Sequence, residues 1–174
     1  MNLNRKALRT AIPIALLTAA AVLVWAQDLP KAGLWEVTST MTWQQSPMPA
    51  GMPTPPNSPF AGGPRTFQSC VTQADIDKYG TILQQRQDRN KDCQVTNVQK
   101  SGNHVTADLT CSGRMAGKGT VEASWTDREH SQTKMHFTGA IQMGPQSKTV
   151  EWTTESTSVF KGDDCGSVKP AAQQ

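Results

Sequence analysis

Residues 33–43 show the pattern that runs through most of the chain. Trp35, Val37, Met41 and Trp43 share one parity, while Glu36, Thr38, Thr40 and Thr42 hold the other. Successive side chains of a strand point to opposite faces, so this spacing predicts a strand with one buried and one wet side. Residues 65–71 predict a short second strand. Residues 93–100 and 104–112 predict a hairpin around Ser101-Gly102-Asn103, a turn signal. With those three residues as the loop, Lys100 faces His104 and Cys93 lies opposite Cys111. Val95, Val105, Ala107 and Leu109 then share the buried parity. Val121, Ala123 and Trp125 form the next inward set, followed by Met135, Phe137, Gly139, Ile141 and Met143. Gly144-Pro145 turns the chain, and the inward parity shifts by one to Val150, Trp152 and Phe160, as an even-length loop requires.

One segment breaks the alternation with a helical period. Thr72 is a good N-cap with Asp75 three residues on, and Val71 and Ile76 bracket the cap as a hydrophobic staple. Ile76, Tyr79, Ile82 and Leu83 form an apolar stripe, weakened by Gly80 and ended by the polar residues 84–92. A second interruption, residues 44–64, holds seven of the eleven prolines together with Met48 and Met52. Proline cannot donate to a ladder, so this Pro/Met-rich stretch is expected to be a flexible loop outside the sheet. The fold class is therefore all-β with one helix: an antiparallel meander of about seven or eight strands, curled into a small barrel or an open, helix-capped sheet. The pattern leaves both forms open.

The first residues follow a different rule. Arg5, Lys6 and Arg9 precede an apolar run over residues 11–25 that ends in Val24-Trp25-Ala26. This is the layout of a secretory signal peptide over residues 1–26, with cleavage expected after Ala26. An apolar run of about 15 residues is short of the roughly 20 that cross a bilayer, so no membrane anchor is expected after cleavage. Residues 27–174 then make a single domain. Loss of three of the 17 basic residues leaves 14 against 14 acidic ones, so the excess charge belongs to the leader. No basic stripe remains to attract nucleic acid. The expected localisation is periplasmic or secreted.

The four cysteines, Cys70, Cys93, Cys111 and Cys165, all follow the leader and form no C-x-x-C pair. An even count in an exported chain reads as two disulfides, with three possible connectivities. The hairpin register favours Cys93 with Cys111, because directly opposed strand residues have the Cβ separation a disulfide needs. Cys70 and Cys165 would then tie the second strand to the tail.

Candidate chemistry is sparse. His104, His130 and His136 lack metal-binding spacing, and the first and last fall on wet faces. Met48 and Met52 offer thioethers of the kind that suit Cu(I), with no His or Cys near them. Asp127 with Glu129, and Asp163 with Asp164, bracket turns without a calcium-loop pattern. No metal site, cofactor motif or catalytic residue is expected, and the chain is not expected to be an enzyme. The inward tryptophans are the remaining feature. Trp35, Trp125 and Trp152 either fill the core or line an apolar cavity for a ligand. Two functions follow as expectations. One is an envelope-associated interaction module that binds a protein partner through the Pro-rich loop or the Thr-rich sheet face. The alternative is a small carrier that holds a hydrophobic ligand among Trp35, Trp125 and Trp152.

Gly33-Leu34-Trp35-Glu36, the Pro/Met-rich insertion, Cys70-Val71-Thr72 before a helix, Cys93, Cys111 with Gly113, and Gly162-Asp163-Asp164-Cys165-Gly166 occur in that order. Together they resemble the proteobacterial exported family catalogued as domain of unknown function 3617. The resemblance implies an exported, cysteine-bridged domain and assigns no activity. Gly33-Leu34-Trp35 and Thr126-Asp127-Arg128 are also similar to two lipocalin elements. The helix between early strands and the lack of a C-terminal helix depart from that pattern.

Overall fold

The computed structural model describes residues 29–49, 63–79 and 92–170. Its strands are β1 (Gly33–Gln45), β2 (Gly63–Val71), β3 (Cys93–Ser101), β4 (His104–Cys111), β5 (Met115–Trp125), β6 (His130–Met143) and β7 (Gln146–Gly162). One short helix, α1 (Gln73–Tyr79), follows β2. The strands form one antiparallel, curled and unclosed sheet in the order β2-β1-β7-β6-β5-β4-β3. β3 to β7 are a meander, and β1 returns to pair with β7 through the longest ladder contact in sequence.

The strands outrun the expected limits where the Pro-rich stretch begins and ends. Gln44 and Gln45 extend β1, and Gly63 and Pro64 open β2. Pro64 is tolerated because β2 is an edge strand, where a missing donor breaks no inner ladder. Residues 1–28, which include the expected signal peptide over 1–26, residues 50–62 of the Pro/Met-rich stretch, and Ile82 and Leu83 of the expected helical stripe lie outside the described residues.

The hairpin between β3 and β4 corrects the expected loop. Ser101, not Lys100, faces His104, and Lys100 faces Val105, so the loop is the two residues Gly102-Asn103. That register alone would set Gln94 against Cys111. A bulge between Thr96 and Gln99 takes up the extra residue and restores the Cys93–Cys111 pairing. Asn97 sits in the bulge at φ 53°, a conformation that Asn tolerates better than most residues. The chain thus takes the favoured two-residue turn and absorbs the difference mid-strand. Gly102 and Gly144 each open a two-residue loop with positive φ, the type II′ requirement that only glycine meets without strain.

The concave face carries the core in two apolar clusters. The lower one centres on Leu109, Cys111, Val121, Phe137, Val150 and Trp152. The upper one joins Trp35, Val71 and Ile76, with Leu29, Ala32 and Phe160 packed against them. Met143 departs from the expected inward set: it is 38% exposed at the end of β6, beside the turn and beyond the packed rows. α1 starts with the expected reciprocal cap. The Thr72 N–H donates to Asp75 Oδ2 at 2.9 Å, and the Asp75 N–H donates to Thr72 Oγ1 at 3.2 Å. Val71 and Ile76 are both buried, as the staple requires. From this cap the helix reaches toward the far edge, where Lys100 Nζ donates to the Asp77 carbonyl at 3.5 Å.

Both disulfides have the expected connectivity, Cys93–Cys111 and Cys70–Cys165. The second joins β2 to the chain after β7. It pins the tail beside β2, and Pro170 forms a parallel bridge with Cys70. The tail therefore lies beside the Cys70 end of β2.

Candidate functional site

The concave face is the place where sequence-derived candidates and unusual side-chain chemistry meet. Across its lower half an aromatic row crosses three strands. Trp43 on β1 packs on Trp152 of β7 at 5.2 Å between centroids, and Trp152 stacks on Phe137 of β6 at 4.3 Å and 28°. Phe137 in turn lies over Gly117, Gly119 and Gly139. A Cβ at Gly117 would meet the Thr138 carbonyl at 2.4 Å, and one at Gly139 the Ala116 carbonyl at 2.3 Å. Glycine here lets β5 and β6 bend toward the concave side, and the ring of Phe137 covers the backbone that the missing side chains expose.

Met41 and Met135 flank this row. Both face Thr154 of β7 in register, one from each neighbouring strand. Met41, Trp43, Met115, Met135, Ile141, Cys93 and Val95 are only partly buried around the lower cluster. The lower half of the face is thus apolar and incompletely covered, with three flexible thioethers that repack readily.

Hydroxyls run through the same face. Ser39, Ser69, Ser131, Thr154 and Ser158 are buried, and Ser156 Oγ donates to Ser39 Oγ at 3.0 Å. Ser69 Oγ, Ser131 Oγ, Thr154 Oγ1, and Nε1 of Trp125 and Trp152 have no hydrogen-bond partner among the described residues. An unmade bond at a buried donor costs about 1–3 kcal/mol, and ordered water is the usual partner of such groups in a native core.

The three candidate tryptophans do not form one cluster. Trp35 belongs to the upper one, is 0% exposed, and donates from Nε1 to the Lys31 carbonyl at 3.0 Å. It meets Phe160 edge-on at 5.6 Å. Lys31 lies over the same Phe160 ring and pairs with Glu129. Trp125, at the end of β5, is buried and held by Asn103, whose Nδ2 donates to the Trp125 carbonyl at 2.6 Å. Only Trp152 stands in the half-covered lower row. The buried hydroxyls are what the reading of the sequence missed. Thr154, Ser156 and Ser158 share the parity of Trp152 and Phe160, so alternation alone marks them as inward.

The convex face has the chemistry of a solvated surface. Lys134 pairs with Glu155, Lys161 with Glu36, and His136 Nε2 with Glu151 at 2.9 Å. His104 is half-buried on β4. In the turn after β5, His130 meets the Asp127 carboxylate at 2.9 Å. The Glu129 N–H donating to Asp127, and then His130, hold that carboxyl below its ordinary value of 3.8. Among the described residues no three His, Cys, Asp or Glu side chains gather as a metal site. Met48 is half-buried, and Met52 lies outside the described residues. Asp163 and Asp164 are exposed at the start of the tail, where Asp164 accepts the Gly166 N–H at 2.9 Å.

The order of Trp-bearing first strand, paired cysteines and Asp-Asp-Cys tail corresponds to a known family. The model of the family described as "Protein of unknown function (DUF3617)" matches residues 30–165. The chain belongs to this family. The match runs from three residues before β1 to the tail cysteine, so the open sheet and both disulfides lie within the family's span. No curated protein and no solved structure matches the chain.

Proposed function

We propose that this protein is an exported, non-enzymatic binding domain of the cell envelope that holds a small hydrophobic ligand on its concave face. The observation that carries the reading is the lower half of that face, where seven apolar side chains around Trp152 remain only partly buried. Apolar, aromatic, concave surfaces with a few polar groups are the usual form of small-molecule sites. Export is supported by the leader pattern of residues 1–26 and by four cysteines that are all paired, since disulfides persist in oxidising compartments. The alternative of a protein partner on the Thr-rich outer face has less behind it, because the charges there already pair across strands.

Titration of the disulfide-intact chain from Gln27 with diphenylhexatriene, a dye fluorescent only in apolar surroundings, tests the reading. One saturable site is expected, with loss of tryptophan emission as the dye takes up energy from Trp43 and Trp152. Absence of saturable binding would overturn it in favour of the interaction module.

A further inference from the structure

We infer that the outer edge of β2 pairs antiparallel with the same edge of a second copy of this chain, through a twofold axis at Thr66. The inference stands on the edge itself and needs no ligand on the concave face. β2 and β3 end the sheet, and they are built differently. β3 carries the bulge between Thr96 and Gln99 and, near its end, Lys100, two of the devices that blunt an edge. β2 pairs with β1 without a bulge from Gly63 to Val71, and Arg65 is its one charged residue. Among the described residues, the one backbone pairing on its outer side is the bridge between Cys70 and Pro170.

That bridge shows which groups point outward. In a parallel bridge one residue aims both its N–H and its C=O at the other strand. Proline has no N–H, so here that residue is Cys70. The direction alternates along a strand, so Thr66 and Gln68 also aim both groups outward, and Pro64 aims its C=O. The N–H that Pro64 lacks belongs to this outer side, where its loss breaks no bond to β1. Arg65, Phe67 and Ser69 aim theirs at β1.

The side chains and the tail select a second copy as the occupant and set its register. The tail stops the ladder at Cys70, so the incoming strand lies beside residues 64–68. A twofold at Thr66 sets Thr66 against Thr66 and Pro64 against Gln68. The two Thr66 residues exchange N–H···O bonds, and each Gln68 N–H donates to the other copy's Pro64 carbonyl. Every outward N–H of this stretch is then satisfied. Arg65 and Phe67 share the face of Val37, and each Arg65 comes to lie across from the other copy's Phe67. Guanidinium meets ring, and no like charges oppose. Phe67 is 40% exposed although its partner Val37 is 6% exposed, so the ring is bare where the second copy would cover it. Residues 64–68 are thus complementary to themselves. A register centred one residue later would put Pro64 opposite Cys70, where Pro170 already sits.

Sedimentation velocity and residue-resolved amide exchange test this on the disulfide-intact chain from Gln27, from about 1 μM to about 1 mM and without ligand. A change from one copy to two is expected across that range. The Thr66 and Gln68 amides slow as the dimer forms, whereas those of Arg65, Phe67 and Ser69 are slow throughout. This wild-type pattern needs no variant to fold. Thr66→Pro removes an outward N–H and is expected to weaken dimerisation about 10- to 100-fold, the loss of two hydrogen bonds. Thr66→Val loses the same hydroxyl contact to Thr38 but keeps the N–H, and should change it less than about 3-fold. A monomer at the highest concentration overturns the inference, as does a dimer that Thr66→Pro leaves intact. Slow Thr66 and Gln68 exchange in a monomer overturns it too, and gives the edge to another stretch of this chain. None of these outcomes bears on the dye titration, so the two readings fail separately.

Discussion

Phe137 shows how a single side chain carries several requirements at once. Its ring stacks on Trp152 and fills the space above Gly117, Gly119 and Gly139. Removing it exposes three glycines and leaves the aromatic row without its end. Phe137→Ala is therefore expected to cost about 3–5 kcal/mol, the range for a large aromatic deleted from a core. Urea unfolding followed by tryptophan fluorescence measures this. A loss below about 1 kcal/mol would show that the bend between β5 and β6 does not depend on the ring.

At the scale of the element, the β3–β4 hairpin joins local turn chemistry to covalent bonding. Gly102 and Asn103 form the two-residue turn, and the bulge at Asn97 returns Cys93 to the register of Cys111. Asn97 also donates from Nδ2 to Asp108 Oδ2 at 2.7 Å, which fixes the bulge to the opposite strand. A β-branched residue at φ 53° meets steric strain that Asn avoids. Asn97→Val is expected to lower stability by about 1–2 kcal/mol beyond any loss from the hydrogen bond. Asn97→Gly isolates that bond, because glycine takes the same φ freely. Paired denaturation curves of the two variants give the difference, and equal losses would show that the bulge conformation is not strained. α1 works at the same scale: its reciprocal cap and staple set a helix of seven residues over the end of the core, a length too short to persist without packing.

For the whole molecule, the two disulfides act over very different lengths of chain. Cys70–Cys165 closes a separation of 95 residues and holds the tail on the β2 edge, whereas Cys93–Cys111 closes 18 within one hairpin. In the chain-entropy account these contribute about 4.7 and about 3 kcal/mol. Replacing Cys70 and Cys165 by Ser is expected to lower the thermal midpoint further than replacing Cys93 and Cys111. It also frees the β2 edge, so increased self-association by light scattering should accompany it. A larger midpoint loss from the hairpin pair would show that native packing, not loop closure, dominates.

The sequence by itself determined the strands, most of their inward faces and the helix cap, and it favoured the observed pairing of the cysteines without deciding it. Each rests on a period of two, a cap or a near-neighbour register, all of them local consequences of backbone geometry. The family was legible in the order of Gly33-Leu34-Trp35-Glu36, the cysteines and the Asp163-Asp164-Cys165 tail. Tertiary structure alone decided that the sheet stays open, because closure depends on the curl of all seven strands together and not on any local period. It also decided that Trp35 and Trp152 fall into separate clusters. Parity marks both as inward but says nothing of position along a curled face. The idle donors of Thr154 and Trp152 belong to this second group, because whether a buried polar atom finds a partner depends on every strand around it.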